Sequence, residues 1–340
     1  MSRPPSCSWV LTALVIAAVA RAAAAQPAPA RAPIEVAFVG DVMFGRYVGG
    51  RLQPIPADRP RLLDGARAVL ADADLAVANL ETPVIAAPPA RGPRERRRFA
   101  ASPDQLAVLA GAGFDALSLA NNHSDDMGDD GTTATPALIA AAGMTALGAA
   151  HHGPELLAVE SVAVGGWRLG FIAVTTVRNR SQRAGAPRLR FVAEPELLGA
   201  VAPIVASARA DHDAVIVLVH WGREHHAAPD PAQRVAARAW IDAGAAAVIG
   251  HHPHVLQPIE RYRGGVIAYS LGNFLFDNLG PRARRTGILT LTFADGAPCL
   301  AARFTPLVLG SGYRPGRPGR ADARAIRAAI GGDLAGCPDP

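Results

Sequence analysis

Apolar and polar residues fall along this chain in blocks. Seven short runs rich in Val, Ile, Leu and Ala give way at once to polar residues. They are Ile34–Met43 (IEVAFVGDVM), Leu75–Glu81 (LAVANLE), Ala116–His123 (ALSLANNH) and Leu169–Thr176 (LGFIAVTT). Ala214–Gly222 (AVIVLVHWG), Ala245–His254 (AAAVIGHHPH) and Val266–Phe274 (VIAYSLGNF) complete the set. Unbroken apolar runs of this length predict strands buried on both faces. Helix signals separate them. Ser102-Pro103-Asp104-Gln105 and Asp230-Pro231-Ala232-Gln233 each supply an N-cap, a proline at the first helical position and a glutamine two residues later. Those helices stop at Gly111–Gly113 and at Gly244, and Glu194–Ala210 and Thr135–Ala142 are two further helix candidates. Strands alternating with helices predict an α/β architecture with largely parallel strands. Beyond them, Gly287–Phe293, a turn at Ala294–Pro298 and Cys299–Leu309 read as a β-hairpin, Ser311–Arg320 as a linker and Ala321–Ile330 as a short helix.

In such sheets ligands bind beyond the carboxyl ends of the strands. Those ends carry Asp41, Asn79, Glu81, Asn122, His123, His220, His252, His254 and Asn273. One edge of the sheet is therefore expected to gather carboxylates, amides and imidazoles. That donor set suits Zn, Mn or Fe and not a thiolate site. His252 and His254 flank one residue, so in an extended loop both rings point toward one centre. No short-spaced set of four ligands occurs, which leaves a position open for water or substrate. Competing hydrolase signatures are missing: there is no G-x-S-x-G, H-E-x-x-H or C-x-x-C, and Gly40-Asp41 lacks the glycines of a dinucleotide loop.

Composition narrows the chemistry further. With 340 residues, 50% of them hydrophobic, the chain makes one large domain or two small ones. It contains no lysine, which excludes a P-loop lysine, a Schiff base and a Ser-Lys dyad. Val10–Ala20 is an unbroken apolar run followed by small residues to Ala25, the pattern of a secretory signal peptide over residues 1–25, with an uncleaved anchor as the alternative. A short linker (26–33) would lead into a domain over 34–309, with 310–340 as a C-terminal linker and short helix. Export across the inner membrane to the periplasm or cell surface is the expected destination. Cys299 and Cys337 then face an oxidising compartment, as one disulfide or as two unrelated thiols. Loss of Met1–Ala25 removes Arg3 and Arg21 and no acid, so the formal charge falls from +5 to +3. The densest basic run, Arg91–Arg98 (RGPRERRR), has no interleaved aromatic residues, so a nucleic-acid partner is not expected. His151, His152 and His212 read as exposed, and His225 and His226 as a solvated loop.

Six motifs in order resemble a known family. They are Gly40-Asp41-Val42-Met43 with Gly45-Arg46, Asn79-Leu80-Glu81-Thr82-Pro83, and Leu119-Ala120-Asn121-Asn122-His123 followed by Asp125, Asp126 and Gly128. His220-Trp221-Gly222-Arg223-Glu224, His252-Pro253-His254-Val255 and Ser270-Leu271-Gly272-Asn273-Phe274 follow. From roughly Ile34 to Leu309 the chain resembles the CapA-type bacterial capsule synthesis proteins, linked to poly-γ-glutamate production and related to calcineurin-like metallophosphoesterases. The resemblance implies a four-layer α/β/β/α sandwich with its site at the strand ends. It implies one or two divalent ions (Mn, Zn or Fe) on Asp41, Glu81, Asn122, His220, His252 and His254. His123 would assist the leaving group, with Asp41 beside it in the catalytic set; Asp125 and Asp126, in the polar loop that follows, would support His123 or cap a helix. Arg46, Asn79, Glu224 and Asn273 are the matching candidates for substrate contact. Met43 stands where the phosphoesterase D-x-H motif has its histidine. The implied partners are an anionic polymer or phosphoester substrate and membrane-bound capsule synthesis proteins. Two functions follow: a metal-dependent hydrolase or transferase, or a non-catalytic factor that binds a polyanion during capsule assembly or export.

Overall fold

The apolar runs become the inner strands of two stacked sheets. The computed structural model describes residues 30–48, 51–55, 61–90, 98–151, 157–181, 185–277, 280–297, 299–310, 313–332 and 334. Arg31–Pro340 form one compact unit. The first half runs β1 (Ile34–Val42), the small hairpin β2 (Gly45–Val48) and β3 (Arg51–Pro54), α1 (Asp64–Asp72), β4 (Leu75–Leu80) and α2 (Pro103–Ala110). It continues with β5 (Ala116–Ser118), α3 (Gly128–Ala141) and β6 (Thr145–Leu147). Next come β7 (Val159–Val164), β8 (Trp167–Thr175), α4 (Glu194–Ala208), β9 (Ala214–His220), α5 (Pro231–Asp242) and β10 (Ala247–His251). The chain ends through β11 (Ile259–Tyr262), β12 (Gly265–Ala268), β13 (Asn273–Leu275), β14 (Arg285–Phe293), β15 (Ala301–Leu309), β16 (Pro315–Gly316) and α6 (Arg320–Ala329).

In the first sheet β1, β4, β5 and β6 run parallel, and β14, β15 and β16 extend it antiparallel from the other side of β1. In the second, β8, β9, β10 and β12 run parallel between antiparallel edges β7 and β11. Alternate residues of each strand serve different layers. Val36 and Phe38 join Val77, Phe171, Ile216 and Ile249 in the apolar layer between the sheets. Ala37 and Val39 face outward with Ala76 and Ala78, under Leu70 of α1, Leu106 and Leu109 of α2 and Ile139 of α3. On the far side Val217, Val219 and Val248 pack under Val201 and Val205 of α4 and Trp240 of α5. This double burial explains the unbroken apolar runs, and the four layers are the expected α/β/β/α sandwich.

Both capping boxes form: Gln105 Oε1 accepts the Ser102 N–H at 3.0 Å, and Gln233 Oε1 accepts that of Asp230 at 2.7 Å. Other expectations need correction. Val266–Phe274 is not one strand: β12 belongs to the second sheet and β13 to the first, and the chain crosses between them at Gly272 with φ of +67°. The helix expected from Thr135 starts at Gly128. Part of the supposed 311–320 linker is β16, paired with β15. His212 is half-buried, not exposed: it bonds Ser161 Oγ and the Ala208 carbonyl. His151 is half-buried too, bridging to Arg188 through its main chain. The expected signal peptide, His152, Arg91–Arg97 and Cys337 lie outside the described residues. Cys299 is disulfide-bonded.

Candidate metal centre

The carboxyl ends of β1, β4, β9 and β10 converge, and the backbone is shaped to let them. A bulge in β1 shifts its register so that Asp41 faces Asn79 of β4 on one side and Asn273 of β13 on the other. In the second sheet His251 sits opposite His220. A Cβ at Gly40 would lie 2.0 Å from the Gly272 carbonyl oxygen, and one at Gly250 would lie 2.0 Å from that of Tyr269. Only glycine permits either approach.

A chain of hydrogen bonds ties these ends together. Asn79, 1% exposed, donates to Asp41 Oδ1 at 2.8 Å and to His220 Nδ1 at 3.3 Å, and accepts from Asn121 at 3.2 Å. With Nδ1 accepting, His220 Nε2 carries the proton and donates to Asn122 Oδ1 at 2.7 Å. Asn122 donates in turn to Asn179 Oδ1 at 3.0 Å. His123 Nδ1 meets Asp126 Oδ2 at 2.7 Å, while the Phe99 N–H holds the same oxygen and the Phe99 ring stacks on His123 at 3.8 Å. His254 Nδ1 lies 3.1 Å from Asp41 Oδ2 and 3.0 Å from Asn273 Oδ1, so its Nε2 is the nitrogen left to face the centre. That nitrogen is 3.9 Å from Glu81 Oε1, and His220 Nε2 and His123 Nε2 are 3.5 and 3.8 Å from the same oxygen. Glu81 is fully buried, and among the described residues neither carboxylate oxygen has a hydrogen-bond partner.

Residues 35–278 match the bacterial capsule synthesis protein family PGA_cap. The chain belongs to that family. It is 32% identical over 259 residues to the PGA biosynthesis protein CapA of Bacillus subtilis, covering 75% of this chain and 67% of that one. It is 28% identical over 271 residues to the capsule biosynthesis protein CapA of Bacillus anthracis, covering 78% and 66%. The chain thus spans about two thirds of the length of these relatives. Among solved structures, the calcineurin-like phosphoesterase YfkN of Bacillus subtilis aligns over 88% of this chain and 97% of its own at 11% identity, with a TM-score of 0.42.

The donors at the centre of this capsule synthesis protein fit a divalent cation. Glu81, His252 and His254 each offer a ligand atom, all within 4.8 Å of one another. Among the described residues His252 Nδ1 is buried without a hydrogen-bond partner, as are both Glu81 oxygens. A buried carboxylate lacking donors costs several kcal/mol on the order expected for a desolvated charge, and a cation removes that cost. Burial pushes the Glu81 carboxyl well above the ordinary carboxylate range, and the charges of Asp41, Glu224 and Asp126 push the same way against His254. Burial acts likewise on Asp41, but the hydrogen bond and charge of His254, with His251 and Asn79, outweigh it and hold Asp41 below its usual value. Burial drives His220 well down, and takes His252 to about 4 with help from His254. Burial also pulls on His254, yet Glu81 and the Asp41 contact dominate and lift it to about 9.

Nine of the eleven expected site residues lie in this cluster: Asp41, Asn79, Glu81, Asn122, His123, His220, His252, His254 and Asn273. Glu224 is exposed in the loop after β9, and its charge reaches Glu81 and His254. Arg46 stands apart, paired with Asp277 at 2.5 Å. The loop carrying His252 and His254 is not extended as expected. Both residues take positive φ, 96° and 57°, and their rings come within 5.8 Å of each other. His251 instead turns its Nε2 to the Val39 carbonyl, linking the sheets. Trp221, from the same motif as His220, is 1% exposed and stacked on Trp240 and Tyr269. Asn121, Asn179 and Phe99 had no assigned role. Asn179 follows the apolar run ending at Thr176, so the strand-end rule would have found it; nothing marked Phe99.

Proposed function

We propose that this chain is a metal-dependent hydrolase or transferase of capsule or poly-γ-glutamate biosynthesis, acting on a phosphoester or on an amide-linked anionic polymer. The observation that carries the reading is Glu81, a buried carboxylate without donors, facing three imidazole nitrogens at 3.5–3.9 Å. When bound on Glu81, His252 and His254, a divalent ion supplies Lewis-acid polarisation of the scissile group. The chain's own residues supply the rest. Asp41 and Asn273 fix the His254 ring by its Nδ1. Asp126 holds His123 by Nδ1, which leaves Nε2 to hold a proton for a leaving group. A cavity of about 480 Å³ opens beside the same loop, with Asp125, Asp129 and Asp130 on its lining together with Arg180 and Ser181.

The names of the Bacillus relatives support the setting in capsule and PGA biosynthesis. The N-terminal sequence pattern supports export, and among the described residues no helix is long and apolar enough to cross a membrane. A second reading, polymer binding without turnover, is favoured by one feature: Met43, where the phosphoesterase motif has histidine, is buried against Phe99 and Phe276. The test is a panel of phosphoesters and glutamate oligomers, with and without Mn or Zn, on wild type, His123→Ala and His252→Ala. Metal-dependent turnover lost in both variants is expected. Polymer binding with no turnover in wild type would establish the second reading.

A further inference from the structure

Two sides of the centre differ in what they leave unsatisfied. On one side, among the described residues, both Glu81 oxygens and His252 Nδ1 have no hydrogen-bond partner. On the other, Asp41 is already committed: Oδ1 accepts from Asn79, and Oδ2 accepts from the His252 N–H at 3.3 Å and faces His254 Nδ1 at 3.1 Å. Beyond Asp41 the sequence turns apolar. Met43 at 1% exposure, Phe99 at 3% and Phe276 at 2% form a cluster of their own, separate from the three large cores. The cluster abuts the site directly, because Phe99 stacks on His123 at 3.8 Å and Phe276 lies 4.6 Å from the His254 ring. Phenyl rings offer no lone pair to coordinate a metal ion, and a thioether is too soft for Mn or Mg and a weak ligand for Zn. Behind the wall sits a cation: the Arg46 guanidinium is 5.0 Å from the Phe99 ring and 5.6 Å from that of Phe276, held there by Asp277. A further dication on that side would meet apolar surface, and the Asp277 carboxylate behind it is already committed to Arg46.

We infer that the centre takes one divalent ion per chain, on Glu81, His252 and His254, with Asp41 as a positioning residue for His254 and the Met43–Phe99–Phe276 wall closing the place of a second ion. The inference rests on the metal reading above and adds the number of ions and the part played by Asp41. A carboxylate that holds a ligating histidine by its other nitrogen is a recurrent second-layer arrangement, and its loss costs about 10–100-fold in metal affinity without abolishing the site.

The experiment is metal stoichiometry by elemental analysis after equilibration of the full chain with excess Mn and removal of free metal. Wild type and Met43→Leu are expected to retain one equivalent, and Met43→His two. Asp41→Asn is expected to reach one equivalent at saturation with affinity lowered by about 10–100-fold. Phe276→His makes the same test from the opposite side of the wall should Met43→His fail to fold. Two equivalents in wild type, or a folded Asp41→Asn that binds none at saturation, overturns the inference and leaves the metal reading standing. A folded histidine variant that still binds one equivalent overturns the role of the wall. No metal in wild type defeats the metal reading itself.

Discussion

Metal affinity is expected to rise steeply with pH, because His254 must give up a proton before its Nε2 can act as a ligand. Burial favours the neutral ring, but Glu81 and Asp41 hold the folded-state value at about 9. At pH 7 the nitrogen is therefore protonated about two units below its midpoint. That proton costs on the order of 3 kcal/mol of binding free energy, roughly a hundredfold in affinity. From pH 7 to pH 9 the apparent Kd for Mn should fall about tenfold per unit, and more steeply wherever Glu81, pushed up by burial, also holds a proton. His252, held at about 4, contributes no slope in this range. Competition against a metal-sensitive dye at half-unit steps gives the affinities. Calorimetry in two buffers of different ionisation enthalpy counts the protons released. An affinity that stays flat from pH 7 to pH 9, or binding without proton release at pH 7, would refute the reasoning.

Three more outcomes follow from the same geometry. In metal-free protein the raised His254 contributes stability that is full below its unfolded value of 6.5 and is lost as pH rises to about 9, so unfolding free energy should drop by about 3 kcal/mol across that window, read by urea titration. Glu81→Gln should abolish the Mn-induced rise in melting temperature, since the substitution removes the anionic ligand and keeps the shape. Gly40→Ala should cost about 3 kcal/mol or more and lower soluble yield, because its Cβ would meet the Gly272 oxygen at 2.0 Å and the Leu271 oxygen at 2.9 Å; an unchanged urea midpoint would contradict this.

What was legible in the sequence follows from burial. Strands packed on both faces, such as β1, β4 and β9, leave an unbroken apolar signature, and the carboxyl edge of a parallel sheet is where the polar residue after each run must lie. Edge strands leave a weaker one. β7 alternates half-buried and exposed positions and β11 has one buried residue, so neither stood out from loop. The split of Val266–Phe274 was hidden because both halves are fully buried, and apolar content does not say in which sheet a residue is buried. Arg46 fits the family motif, yet its partner Asp277 is 231 residues away, a pairing no local pattern can carry.

The strained loop after β10 and the unpaired Glu81 belong to one argument. A non-glycine residue held at positive φ costs about 1–3 kcal/mol, and His252 and His254 both adopt it, with His225 at 63° beside them. That conformation persists because other contacts over-determine it. Asp41 holds the His252 N–H, the Pro253 carbonyl accepts the His225 N–H, and Asn273 and Asp41 hold the His254 ring. An extended loop with period-two geometry would have cost less and delivered two rings without strain. The fold instead fixes both rings around a carboxylate that it has stripped of donors, so the strain and the desolvation fall at the same place. On the proposed metal reading both costs would be recovered by one event, the arrival of a cation, which would meet ligands already oriented and lose little side-chain entropy on binding.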